Sequence, residues 1–345
     1  TTTRGKTMKH WILGLAALAA AALPASAQTG PTLAKIKERG HIICGTSPGV
    51  AGFSIQDAAG RWNGFDIDIC RALAVAIFND ADKAKFVPLT SKDRLIALQG
   101  GEIDVLPRTT TWTLSRNLGQ GVTFTAVNYY DGQGFMVAKT LGVASATKLD
   151  GASICVAQGT TSELNLADYF RKLGMKYEPA AFSTSEEALK AYEAGRCDAY
   201  TTDVSALAAV KLKLQDPDGH VVLPEVISKE PLGPWVRTGD EGWFNLVRWT
   251  VAALVNAEEL GVTQANVREM TKSANPEIRR FLGLDGKFGE AMGVTNDWVV
   301  RIIATVGNYG ESFDRNLGSQ SRLKLARGPN ALWTQGGLQY SPPFR

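Results

Sequence analysis

The sequence predicts an α/β protein of two lobes joined by two hinge segments, and three observations carry that prediction. Apolar runs of strand length alternate with helical segments from residue 41 to 106, the order of a parallel sheet with crossover helices. The same rhythm restarts at Leu149 and continues to residue 214. Two apolar segments, Gly134-Phe135-Met136-Val137-Ala138 and Leu232-Gly233-Pro234-Trp235-Val236, run between the halves, one outward and one back. Two such crossings suggest a hinged pair with a cleft between the lobes. At 345 residues the chain is long enough for two domains.

In the first half, a short helix over 32–39 ends at Gly40, and a strand follows over 41–45. Residues 47–64 are irregular, with a hairpin expected around 57–61. Residues 65–78 place Ile69, Leu73, Ala76 and Ile77 on one helical face. A strand over 85–89, a helix over 93–99 stopped by Gly100-Gly101, and a strand over 104–106 complete this half. In the second half the strands are 152–157, 177–181 and 197–201. The helices are 161–173, 185–194 and 204–214. A long helix over 240–259 carries the apolar set Trp243, Phe244, Val247, Val251, Leu254 and Val255. A tail follows, with helices near 275–282 and 296–309 and a Gly/Pro-rich end over 327–345. The expected division is 32–136 plus 232–345 for the first lobe and 137–231 for the second, with the tail packed on the first.

Residues 1–27 read as an export segment. Lys9 and His10 precede an apolar run over 11–23, then Pro24-Ala25-Ser26-Ala27. A short basic region, an apolar core and an Ala-x-Ala end describe a signal peptide cleaved after Ala27. The run is too short and too rich in alanine for a bilayer span. Residues 1–7 precede Met8, a plausible start, and are read as extraneous; no cysteine at the cleavage point suggests a lipid anchor. Residues 1–27 carry Arg4, Lys6 and Lys9 and no acid, so the remainder holds 34 basic and 34 acidic residues. A neutral mature chain argues against nucleic-acid or membrane-surface binding by bulk charge.

Cys44, Cys70, Cys155 and Cys197 fit no compact metal motif. An even number in an exported chain suggests two disulfides. Three pairings exist; Cys44–Cys70 with Cys155–Cys197, one bridge per half, is the local solution, and free buried thiols are the alternative. No cofactor or metal is expected. His10, His41 and His220 are the only histidines and none falls near the candidate site, so a Ser/His/Asp or metal centre is unsupported.

The candidate site is centred on Thr109-Thr110-Thr111-Trp112-Thr113-Leu114-Ser115-Arg116, directly after the expected strand at 104–106. In open α/β sheets small ligands bind at such strand ends. Hydroxyls there can hold a small polar group, and an arginine fork matches a carboxylate with two parallel hydrogen bonds. A Thr-rich loop with a surface arginine is the competing reading. Gly159-Thr160-Thr161 opens a helix, whose free N–H groups favour an anion. Thr160 and Glu163 alternatively form only a capping box. Asp203 alternatively caps the helix at 204. Asp66 and Asp68 are read as favouring the helix dipole and are left outside the site.

Gly64-Phe65-Asp66-Ile67-Asp68-Ile69-Cys70-Arg71-Ala72-Leu73 resembles the signature of the polar amino-acid-binding proteins of ABC transporters. The similarity continues through Ala97-Leu98-Gln99-Gly100-Gly101-Glu102-Ile103-Asp104-Val105, the Thr-Trp-Thr-x-x-Arg run, Gln158 to Glu163 and Cys197 to Asp203. It covers most of 32–261. The tail, with Val306-Gly307-Asn308-Tyr309-Gly310-Glu311 and Asn330-Ala331-Leu332-Trp333, resembles the general L-amino-acid-binding subfamily. The resemblance implies a bilobal periplasmic receptor, expected to be a monomer, that captures a free L-amino acid and delivers it to ABC permease subunits. It implies that Arg116 and the Thr161 N–H hold the carboxylate, that Asp203 and the Thr109 carbonyl hold the ammonium, and that Thr111 contacts both. By approximate alignment Ser47 and Ser91 face the ligand side chain, with Arg94 and Tyr129 colouring a permissive pocket. The alternative is an enzyme on the same scaffold, resembling cyclohexadienyl dehydratases, which needs a general-acid glutamate in the cleft. A membrane-receptor sensor lacks an output domain in this sequence.

Overall fold

The run Ile42–Thr46 is apolar enough to lie inside a sheet, and it does so. It pairs in parallel with Ala84–Pro88, Ile42 opposite Ala84. On its other side Cys44 meets Val105 in parallel. Leu106 then exchanges backbone bonds with Trp235, and Trp235–Arg237 runs antiparallel to Val122–Phe124. The computed structural model that shows this describes residues 1–3 and 30–345. The signal sequence read over 8–27 lies outside the described residues. Among them, no helix is long and apolar enough to cross a membrane.

The second sheet orders His220–Val222, Gln133–Ala138, Ala199–Asp203, Ser153–Ala157 and Glu178–Phe182. The expected hinge segment, residues 134–138, lies instead within strand Gln133–Ala138 of this sheet, between two antiparallel neighbours. The reason is burial on both faces. Phe135 enters the core under helix Thr161–Leu173, and Met136 enters the opposite core with Tyr192 and Leu207. The crossing is the antiparallel ribbon of Tyr129–Asp131 and Glu230–Leu232. The outward crossing is thus Tyr129–Asp131, before residue 136, while the return crossing Glu230–Leu232 includes residue 232.

Each lobe holds one disulfide. Cys44 and Cys70 join strand Ile42–Thr46 to helix Phe65–Phe78, with Cα atoms 6.4 Å apart. Cys155 and Cys197 are bridged at 5.7 Å. Both distances suit the bond, and both pairs are the local ones.

The tail packs on the first lobe. Helix Trp298–Val306 buries Val299, Ile302 and Ile303 in the core that helices Phe65–Phe78 and Glu241–Glu259 also line. Asp68 does more than favour a dipole: its carboxylate accepts from Ser312 at 2.6 Å, Arg315 at 2.6 Å and Asn316 at 2.8 Å. Further along, the buried Asn330 amide accepts from the Tyr130 N–H at 2.7 Å and donates to the Tyr130 carbonyl at 3.0 Å. The tail thus braces one strand of the hinge ribbon.

Candidate functional site

The two lobes touch across a cavity of about 60 Å³ lined by Ser47, Ser91, Thr109, Thr111, Thr161 and Asp203, among others. Six of the seven expected ligand residues are therefore together. Closure is tight. Lys213 Nζ of the second lobe donates to Gly49 O at 2.7 Å. Gly159, at φ 72°, approaches residue 92 so closely that a Cβ would lie 3.0 Å from the Lys92 Cα. Glycine alone satisfies both the backbone angle and the approach.

On the first lobe, residues 108–111 leave the sheet and run to the ribbon, where Thr111 bridges Leu232. Thr109 has φ 21°, unusual for a residue with a Cβ. Its N–H is held at 3.0 Å by Asp66, whose other oxygen accepts from Asn128 at 3.3 Å. Burial pushes the Asp66 carboxyl up to about 7. Asp66 thus fixes the site loop, a role the dipole reading had not included.

Arg116 differs from the other six. It lies beside the cavity rather than on its lining, donating to Thr111 O at 3.0 Å and across the cleft to Gly159 O at 3.4 Å. Burial lowers its pKa, against the opposing pull of Glu230 and Asp203. Two further arginines line the cavity. Arg108, absent from the sequence-based set, donates to Leu89 O at 2.9 Å and to Ser91 Oγ at 3.3 Å. Arg94 is 4% exposed, and among the described residues its Nε has no partner. Among the described residues its guanidinium makes one hydrogen bond, a long 3.4 Å contact with Thr109 O. Burial and the neighbouring Arg108 and Arg116 hold the Arg94 guanidinium well below its usual value. Tyr129 is not on the lining; it packs edge-on against Phe53 and Phe65 in the first-lobe core.

On the second lobe, Thr160 caps helix Thr161–Leu173 by accepting from Glu163 N at 3.2 Å. Glu163 in turn reaches Gly159 N at 3.1 Å, so its side chain engages the residue before the cap. Thr160, Thr161 and Ser162 line the cavity, and their N–H groups lie in the first turn, where no carbonyl four residues back is available. Capping by Thr160 and the placement of this turn on the cavity coexist.

Asp203 precedes helix Val204–Lys211 but makes no capping bond. Asp131, from the ribbon, takes that place by accepting from the Ser205 hydroxyl and, at 3.4 Å, from its N–H. Asp203 is left to face the cavity. Burial first, then Asp131 and Glu230, push its carboxyl well above the usual range. Burial likewise raises Asp131 to about 6.

Glu230, also absent from the sequence-based set, is 1% exposed. Its carboxylate accepts from Thr111 Oγ1 at 2.5 Å, Thr161 Oγ1 at 2.8 Å, Asn165 Nδ2 at 2.7 Å and Ser228 Oγ at 2.7 Å. Among the described residues no group of His, Cys, Asp and Glu is placed to hold a metal. The arrangement offers a helix N-terminus and arginines for an anion, and one uncapped carboxylate for a cation, within a space closed by both lobes.

Residues 42–265 match the bacterial extracellular solute-binding proteins, family 3. The chain is 55% identical to the general L-amino acid-binding periplasmic protein of Rhizobium johnstonii, over 98% of this chain and 100% of that one. It is 53% identical to the glutamate/glutamine/aspartate/asparagine-binding protein of Rhodobacter capsulatus, over 95% and 97%. A solved periplasmic binding protein of an ABC transporter from Brucella ovis, with glutathione bound, is 57% identical. It superposes with a TM-score of 0.89 over 91% of this chain and 99% of that one. The chain belongs to family 3 of the bacterial extracellular solute-binding proteins.

Proposed function

We propose that this protein is a periplasmic receptor that captures free L-amino acids between its lobes and presents them to the membrane subunits of an ABC importer. The observation that carries the reading is the pairing within one cavity of an uncapped, half-buried Asp203 with the first turn of helix Thr161–Leu173. One suits an ammonium and the other a carboxylate, the two groups every amino acid shares. Arg116, at the cleft edge, completes the carboxylate end. The relatives' names, which cite L-amino acids in general or the acidic and amide set, point the same way.

The side-chain end is formed by Ser47, Ser91 and Arg94. The serines exclude nothing by size or charge. Arg94 tilts the balance: an apolar ligand leaves its buried Nε unpaired, whereas a carboxylate or amide side chain satisfies it. Binding is broad, with glutamate, glutamine, aspartate and asparagine favoured. The protein acts as a monomer and performs no chemistry on its ligand. Both Glu230 oxygens are occupied by protein donors, which disfavours this glutamate as the general acid of a dehydratase.

Calorimetric competition among glutamate, glutamine, histidine, leucine and alanine tests the reading, with glutathione included because a relative holds it. All five amino acids bind, the first two most tightly. One amino acid binding more than about a thousandfold tighter than the rest, about 4 kcal/mol, contradicts broad specificity. Arg94→Ala reduces glutamate affinity more than alanine affinity; equal losses contradict the role of Arg94. Aromatic product from prephenate would reinstate the enzyme.

A further inference from the structure

We propose that Glu230 is the latch that holds the two lobes closed, and that it sets the two threonines at the cavity to act as acceptors. The proposal rests on the cleft being the ligand site, but its central observation is a contact between lobes. Glu230 lies on the hinge ribbon and belongs to neither sheet. One carboxylate oxygen accepts from Thr111 of the first lobe and Thr161 of the second. The other accepts from Asn165, a turn further along helix Thr161–Leu173, and from Ser228, whose hydroxyl also accepts from Gln133 N at 3.2 Å.

Thr111 is tied to the ribbon by its bridge to Leu232 and by the neighbouring bond from Trp112 N to Pro231 O at 2.8 Å. Thr161 and Asn165 move with the second lobe. When the lobes part, one carboxylate cannot follow both partners, so opening breaks bonds to at least one side. Those bonds converge on one side chain that is 1% exposed and shielded from water, the setting in which hydrogen bonds are strong. Glu230 thus contributes to the closed form without touching the ligand.

The second consequence follows from proton count. A threonine hydroxyl has one proton to donate and two lone pairs. Thr111 and Thr161 each spend that proton on Glu230, which can only accept. Their oxygens, 3.3 Å apart, therefore offer lone pairs to anything between them and the cavity. Such a pair receives an ammonium and rejects an acceptor. Glu230 is a positioning residue for the cation end of the ligand, acting through two hydroxyls.

Glu230→Gln keeps the size and replaces one acceptor oxygen with a donor, so one of the two donor pairs loses its acceptor. Asn165→Ala removes a single latch bond from a residue outside the cavity lining, and serves where the first variant fails to fold. Stopped-flow tryptophan fluorescence with L-glutamate reads association and release, and small-angle scattering reads the radius of the ligand-free protein. Release quickens at least tenfold in Glu230→Gln and less in Asn165→Ala. Association stays within threefold, and both variants scatter with a larger ligand-free radius. A role in folding alone would lower the melting temperature and leave the release rate unchanged. Release rates equal to the wild type overturn the latch. If no variant nor the wild type binds L-glutamate, the amino-acid reading fails, and the ligand-free radii decide the latch alone, equal radii overturning it.

Discussion

Asp203→Asn separates the ligand role of this carboxylate from its place at a helix start. Asp203 makes no capping bond, so the substitution removes a charge and no local hydrogen bond. Without ligand, the ionised carboxylate is disfavoured by burial and by Asp131 and Glu230, which raise its pKa well above 3.8. A folded-state value above the unfolded one means the wild type loses stability as pH rises from the unfolded value to the folded one. The ligand-free variant escapes that loss, so its melting temperature rises relative to wild type, and the gap widens with pH. Binding behaves oppositely. A bound ammonium favours the ionised form, so amino-acid binding releases a proton from the wild type below the ligand-free pKa, and affinity increases with pH there. Replacing the charge leaves the ammonium without its partner, at about 2–5 kcal/mol by analogy with truncated buried charge pairs, or about 30- to 5,000-fold in Kd. Titration calorimetry in two buffers of different ionisation enthalpy counts the protons. Glutamate affinity within threefold of wild type, or the same proton release from the variant, would refute Asp203 as the ammonium partner.

Arg116→Ala weakens every amino acid together, by about 2–5 kcal/mol, because the carboxylate is common to all; wild-type affinity for one good ligand in calorimetry removes Arg116 as an anchor. The double variant Cys155→Ala/Cys197→Ala lowers second-lobe stability by about 2–4 kcal/mol, read as an earlier urea midpoint, while saturating ligand still restores part of it by mass action. Asn330→Ala leaves the Tyr130 N–H and carbonyl without their side-chain partner. It costs about 1–3 kcal/mol, and hydrogen exchange at Tyr130 accelerates; unchanged protection means the tail does not brace the ribbon.

Most of the candidate cavity's lining was legible because its residues announce themselves locally. The threonine run follows a strand, Thr161 opens a helix after a glycine, and Asp203 ends a strand. Arg108 lies one residue before the segment that sequence patterning singled out. Glu230 carried no such mark. Its partners Thr111, Thr161 and Asn165 lie 119, 69 and 65 residues away in sequence, and a lone glutamate before a proline reads as a solvated turn. The hinge was misplaced for a related reason. Gln133–Ala138 is apolar because it is covered on both faces, and periodicity cannot distinguish a buried strand from a buried crossing. The true ribbon, with Tyr130, Asp131 and Glu230, carries the polar groups that a crossing beside a polar cavity needs.

Three carboxylates near one another would ordinarily repel, yet each here has separate work. Asp131 takes the hydroxyl and N–H of Ser205 at the start of helix Val204–Lys211. That occupies the capping position and leaves the adjacent Asp203 without a capping bond, facing the cavity. Glu230 takes the hydroxyls of both lobes and so converts Thr111 and Thr161 from donors into acceptors. Two carboxylates paired by the protein thus prepare a third that is not, and the residual repulsion falls on Asp203. An ammonium relieves that repulsion most directly. On the proposed reading, an amino acid's ammonium favours the ionised Asp203 that the ligand-free cleft disfavours, and Glu230, bonded to both lobes, ties closure to the same end of the ligand.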